Sequence, residues 1–540
     1  MYYIPSAASS FSRAGTGNAT LKCRFTEASD ETWHQCDCVP VGSDGSVHVI
    51  CRQMLASTIP SLPLVDYQPQ PPASIVALSM TEGGLAFVQQ DAFRMHDIQA
   101  LDFTNNQIQT VNVNAFRGLE ISIIPNMAFA RLRLIVLTLS NNRITHLEKL
   151  SLPPSLSILE LRNNLLTQIP YLALKDKTAL QVLDLDSNNI SSLEYNPEVL
   201  FKTELRLVLR NNKIRTLTPT SLKSFRKFKE LDLSYNQISS ISSAAFESIS
   251  QVKTLDLSYN TLAYIARGTF KNLAKNLERL NIEENIFHAV PAALSDLRNL
   301  THLSMNGNKL TKVDEEPFAG LKERLIDLSL AYNRLKIIPT KALNGMVRLQ
   351  HLDLSKNSIK QLDRLAFGTT DGVGSSLVHL NLAGNHLKTI DDPSVFLNMT
   401  SLAYLDLSYN KLEHIDPKTF EKLPGLERLY LQNNKLQQFP MLTEQRMQNL
   451  RQLNLDNNLI GELPDHALYS TQRLEHLSLA GNRITSIGDN VFHSSSSKGL
   501  KSLNLAGNRI SSISKRAFQL MENLQVLKLN NNRLRTIDTT

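Results

Sequence analysis

The residues best placed to do chemistry are four cysteines crowded into one short segment, Cys23, Cys36, Cys38 and Cys51, with none after Cys51. Their spacers of twelve residues, one and twelve suit a tetrahedral zinc site poorly, because such sites draw on CxxC-like pairs. An even count in a compact segment reads instead as a disulfide-stapled unit formed in an oxidising compartment. His351 and His379 offer the next candidate pair, one repeat apart in the same outward column, for a metal or for pH sensing. Spacing supplies no third ligand, so solvated histidines are the plainer reading and no metal is expected. Between Lys202 and Lys229 nine basic residues meet one acid, and Arg206 and Arg210 fall on outward positions where an acidic ligand could dock. HExxH, CxxC, GxSxG and phosphate-loop patterns are all missing, so the sequence predicts no catalytic residue, no cofactor and no enzyme activity.

These residues are positioned by an internal repeat. From residue 75 onward LxxLxLxxNxL recurs, mostly every 24 residues, with its Asn at positions such as 106, 142, 164, 188, 212, 236 and 260 and onward to 532. Alternating leucines such as Leu231 and Leu233 point inward from a short strand, and the residues between them face outward. The Asn, with both donor and acceptor, can satisfy backbone groups where the chain bends away. Phe93, Phe116, Phe246, Phe270, Phe318, Phe367, Phe420, Phe492 and Phe518 recur on the returning side and predict a stacked spine. No repeat can bury its apolar face alone, so stability passes between neighbours and the ends need caps. Outward Asp102, Asp184, Asp232, Asp256, Asp353 and Asp406 alternate with Ser and Asn in the same place, which reads as repeat consensus rather than paired catalytic carboxylates. Tyr235, Tyr259, Tyr332 and Tyr409 precede the ladder Asn and are candidate binding aromatics.

The pattern resembles the typical extracellular leucine-rich-repeat family over residues 75–540. That resemblance implies an α/β repeat solenoid, a horseshoe or arc with a long parallel concave β-sheet and mostly turns or short 3-10 pieces on the convex side. It also implies an amino-terminal cysteine cap with pairs Cys23–Cys38 and Cys36–Cys51, although the spacers here are longer than is usual in the family. The expected organisation is a disordered segment 1–22, a stapled cap 23–72 and a solenoid 73–540. The solenoid would hold about 19 full repeats and one truncated near 117–132, without a carboxy-terminal cap. The 36 residues between Asn106 and Asn142 predict a repeat whose strand is missing, and the Thr369–Ser376 and Ser494–Ser497 stretches predict outer-side loops.

Composition adds limits. The net charge of +7 over 540 residues is a weak field, so no nucleic acid is expected as a partner, and no apolar run is long enough to span a membrane. Asn18, Asn189, Asn299 and Asn398 stand in glycosylation sequons. The uniform array is similar to leucine-rich-repeat-only cell-surface proteins, chaoptin-like adhesion molecules and nematode apical-matrix proteins. Such a resemblance implies an extracellular recognition or scaffold protein that binds a protein or acidic glycan through its concave face, with a signal peptide and a membrane anchor outside this sequence. A toll-like signalling ectodomain is the alternative, and an intracellular inhibitor or adaptor fits the cysteines poorly. Ligand identity and oligomeric state are left open.

Overall fold

The computed structural model describes residues 21–22, 36–40, 47–52, 75–81, 87–88, 100–102, 110–111, 135–141, 144–147, 149 and 151–535, the last stretch without 365, 368–372, 417 and 441–446. They fall in two compact units, Met1–Thr261 and Leu262–Thr540.

In the first unit Leu21–Lys22, the end of the segment expected to be disordered, is a short strand antiparallel to Cys36–Pro40, which pairs in turn antiparallel with Val47–Arg52 so that Cys36 lies opposite Cys51. The two are joined by a disulfide. Cys38 is also disulfide-bonded, whereas Cys23, its expected partner, lies outside the described residues. Val47, Val49 and Cys51 point inward and are fully buried, and the same strand pairs in parallel with Ile75–Thr81. The stapled hairpin thus starts the parallel ladder by offering it a ready edge. Ala100–Asp102 follows and pairs directly with Val136–Thr138, so the 36-residue interval adds no rung between them. Ile158–Glu160 and Val182–Asp184 continue in register.

Two later strands, Phe201–Val208 and Phe225–Asp232, run to eight residues, against three for Val182–Asp184 before them and six for Gln251–Asp256 after. The two repeats that lead into them, those of Asn188 and Asn212, carry no Phe in the usual spine position. Phe201 instead stacks on Phe225 at 5.0 Å, and Phe225 packs against Phe228 at 5.3 Å. Burying these rings at the strand start holds the chain extended where other repeats turn, since aromatic side chains pack well on a pleated surface. Phe246 is buried in the spine position that the sequence predicts.

In the second unit the ladder strands run from Arg279–Asn281 to Val526–Lys528, parallel and in register. The returning side is built from short 3-10 pieces such as Lys271–Leu273, Ala292–Asp296 and Pro393–Phe396, with one four-residue α-helix, Thr340–Leu343. Phe270, Phe318, Phe367, Phe420 and Phe492 are buried there. Phe367 stacks with Phe396 at 6.1 Å and Phe492 with Phe518 at 6.2 Å. The serine-rich insertion forms a 3-10 piece, Ser495–Gly499, with Ser497 fully buried, so it is folded into the returning side rather than carried as an open loop. Of the other expected insertion, 369–372 lie outside the described residues and Val373–Ser375 is a 3-10 turn.

The ladder Asn joins each coil to the one before. Asn357 shows the pattern: its amide donates to the carbonyls of Leu330, Leu354 and Ser355 at 2.9, 3.1 and 3.2 Å, and its Oδ1 accepts the Leu335 amide at 2.9 Å. The residue just before each such Asn is left-handed, as at Asn211, Tyr235, Lys356 and Tyr409 (φ between 52° and 53°) or Gly384. For residues other than Gly this conformation costs about 1–2 kcal/mol, and the Asn bonds hold it in place. Replacing Asn357 by Ala should therefore lower unfolding stability by about 1–3 kcal/mol through orphaned buried groups. Urea denaturation beside the exposed control Lys360→Ala would show this as a lowered midpoint, and an unchanged midpoint would contradict it.

Candidate functional site

The outward side chains of the strands fall into columns one rung apart, about 4.8 Å by parallel-sheet spacing. The second column is structural. Asp232, Asp256, Asp353 and Asp406 each accept the amide N–H two residues on at 2.8–2.9 Å. Asn381 and Asn454 make the same bond at 3.0 and 2.9 Å. A short side-chain acceptor that closes its own turn explains why Asp and Asn interchange here, so these carboxylates are not a catalytic set.

In the first unit the basic zone is largely committed within the fold. Arg206 bridges the Glu230 carboxylate of the next rung at 2.8 and 3.3 Å. Lys253 reaches Glu204 at 3.4 Å, and Arg226 donates to the carbonyls of Lys223, Phe225 and Ser248. Arg210 lies 4.3 Å over the Tyr235 ring, which itself stacks on Tyr259 at 4.0 Å. Of the expected residues, Arg210, Tyr235 and Tyr259 are thus stacked together, while Arg206 is paired separately with Glu230.

In the second unit the first column runs His302, Asp327, His351, His379, Tyr404, Arg428. The predicted neighbours His351 and His379 have ring centroids 6.0 Å apart. His379 stacks on Tyr404 at 3.9 Å, and Tyr404 packs beside Tyr430 at 5.2 Å. Among the described residues no three His, Cys, Asp or Glu side chains converge as metal ligands. Burial, then the charge of His351, holds His379 below the ordinary histidine range. His302 is lowered by burial, then by Arg279. Both imidazoles are therefore neutral at pH 7. Tyr332 and Tyr409, expected as contact residues, project at 61% and 57% exposure, with Lys356 5.3 Å over the Tyr409 ring. Tyr404 and Tyr430 escaped the sequence reading, although register with His379 would have found Tyr404 and register with Asp406 would have found Tyr430.

Asn189, Asn299 and Asn398 are half-buried, Asn398 in a left-handed turn at φ 69°, and Asn18 lies outside the described residues.

A leucine-rich-repeat family profile matches residues 206–262, 250–310, 306–359, 375–436, 448–497 and 498–540, and a two-copy form of it matches 424–470. The chain belongs to the leucine-rich-repeat family. Human podocan-like protein 1 is 28% identical over 57% of this chain and 56% of its own length. Rabbit fibromodulin is 32% identical over 26% of this chain and 92% of the fibromodulin sequence compared. Both are extracellular leucine-rich-repeat proteins. This chain thus spans about half the length of podocan-like protein 1. The solved structure of the Drosophila Toll–Spatzle complex shares the fold, with a TM-score of 0.64 at 20% identity, over 89% of this chain and 66% of that one.

Burial, against a hydrogen bond from the Asp186 amide, pushes Asp184 up to about 6. Raised above its unfolded value, this carboxyl contributes stability that is present below pH 4 and lost as pH rises through about 6. Asp184→Asn keeps the acceptor for the Asp186 amide at 2.9 Å without the charge. It should stabilise the protein by about 1–2 kcal/mol at pH 7.5 and hardly at all at pH 4. Thermal unfolding at both pH values checks this, and a pH-independent difference would refute it.

Proposed function

We propose that this leucine-rich-repeat chain is the recognition part of a non-enzymatic extracellular or cell-surface protein that binds a protein ligand through the outward strand face, in adhesion or extracellular-matrix organisation. The carrying observation is the run His351, His379 and Tyr404 down the first column on consecutive rungs, joined by Tyr430 from the second column of the next rung. Repeat architecture fixes the inward leucines, the ladder Asn and the Asp or Asn column, and it makes no demand on the first column. Aromatic and imidazole groups gathered on such a free column form the rigid, amphipathic surface that dominates protein interfaces. Tyr332 and Tyr409 extend the contact area along the neighbouring edge.

Three further observations support this reading. The Cys36–Cys51 disulfide suits an oxidising compartment, and we assign residues 23–72 to the cap and Asn189, Asn299 and Asn398 to glycan attachment on the same ground. Podocan-like protein 1 and fibromodulin are extracellular. Toll, which shares the fold, is seen in complex with the protein Spatzle.

The test displays the purified chain on beads against a panel of secreted and matrix proteins, then repeats each positive with Tyr404→Ala and His379→Glu. Loss of at least tenfold in affinity with either variant, at unchanged melting temperature, is the expected result. Binders indifferent to both substitutions would place recognition elsewhere.

A further inference from the structure

A second cluster of charge lies in the second unit, off the aromatic strip, at the residues immediately before the last strands. Arg451, Glu475, Lys501 and Gln525 form one column, linked rung to rung by amide-to-carbonyl bonds of 2.8–2.9 Å. Glu475 bridges its two neighbours, accepting from Arg451 Nη1 at 2.7 Å and from Lys501 Nζ at 2.7 Å. Hydrogen bonding and charge from Lys501 hold its carboxyl below the usual range, so it stays ionised. The bridge extends two long cationic side chains along one wall. Beside that column stands Arg473, whose guanidinium bonds only the neutral amide of Asn449, at 2.9 Å, and meets no carboxylate among the described residues. At the equivalent position in the next repeat stands Gly499, and it lines with these residues a cleft of about 460 Å³. That lies within the roughly 300–1,000 Å³ typical of small-ligand sites.

Three cations and one carboxylate leave the cleft with a net charge of +2. Its lining contains no apolar side chain, and Asn523 and Gln525 add amide donors and acceptors. A peptide's apolar side chains would meet only the methylene stems of these residues. A saccharide bearing oxyanions would find guanidinium and ammonium groups for the anions, since Arg matches such groups with paired donors, and amides for its hydroxyls. We propose that this cleft is a binding site for an acidic glycan, holding a sulfate ester or uronate carboxylate between Arg473 and Lys501. The site is distinct from the basic zone at 202–229, which lies in the first unit.

The experiment measures binding of a heparin hexasaccharide, its fully desulfated counterpart and an acidic oligo-glutamate peptide to the whole chain by calorimetry at 50 and 150 mM NaCl. Arg473→Glu and Lys501→Glu should each weaken hexasaccharide binding at least tenfold, and Arg473→Ala about threefold or more. Lys202→Glu with Lys227→Glu should leave it unchanged, and melting temperatures would confirm folding throughout. Retained desulfated binding would assign the anion to the carboxylate, and its loss would assign it to the sulfate; either agrees with the site. Oligo-glutamate binding as tightly as the glycan would overturn the saccharide assignment. Indifference to Arg473→Glu and Lys501→Glu, or sensitivity only to the 202/227 pair, would overturn the site. None of these readings depends on the protein ligand of the aromatic strip, so the two proposals fail separately.

Discussion

The hydrogen bonds of the ladder asparagine carry the architecture. One buried side chain closes the bend of its own coil and reaches across to the previous one, as Asn212 does through the Leu185 carbonyl and the Ile190 amide. Inward leucines supply most of the free energy, because apolar burial scales with area, but area has no direction. The Asn supplies the direction. It fixes where the chain turns, and with it the register that puts Leu207 beside Leu231 and Arg206 beside Glu230.

Register in turn divides the outward face into columns with different obligations. The Asp or Asn column is used up by its own turns, and the left-handed position before the ladder Asn has its backbone held by the next coil. There the side chains pair along the column, as in the Tyr235–Tyr259 stack and the Asn457–Asn433 bond. The first strand column and the column preceding it have no such duty. His351, His379 and Tyr404 occupy the first of these columns and Arg451, Glu475 and Lys501 the second, where composition can vary without disturbing the coil.

Much of this was legible from spacing. The 24-residue period, the inward leucines, the Asn ladder and the Phe spine follow from residue positions alone, and the adjacency of His351 and His379 follows from counting. The long strands at 201–208 and 225–232 did not, because phenylalanine at a strand start and phenylalanine in the spine look alike until the packing of Phe201 on Phe225 is seen. The basic zone was visible as composition, yet the pairing of Arg206 required knowing that Glu230 sits beside it. Charges spaced one repeat apart are neighbours in space and strangers in sequence, so the bridging by Glu475 was also hidden.

A chain stitched coil to coil has a mechanical character of its own. Each Asn bonds only its own turn and the one before, so a pull on the two ends loads the stitches in series, and the weakest opens first. A freed 24-residue coil yields about 80 Å of slack at the extended length per residue, while the coils beyond it keep their shape. The protein would lengthen in steps and re-wind from whichever coils remain.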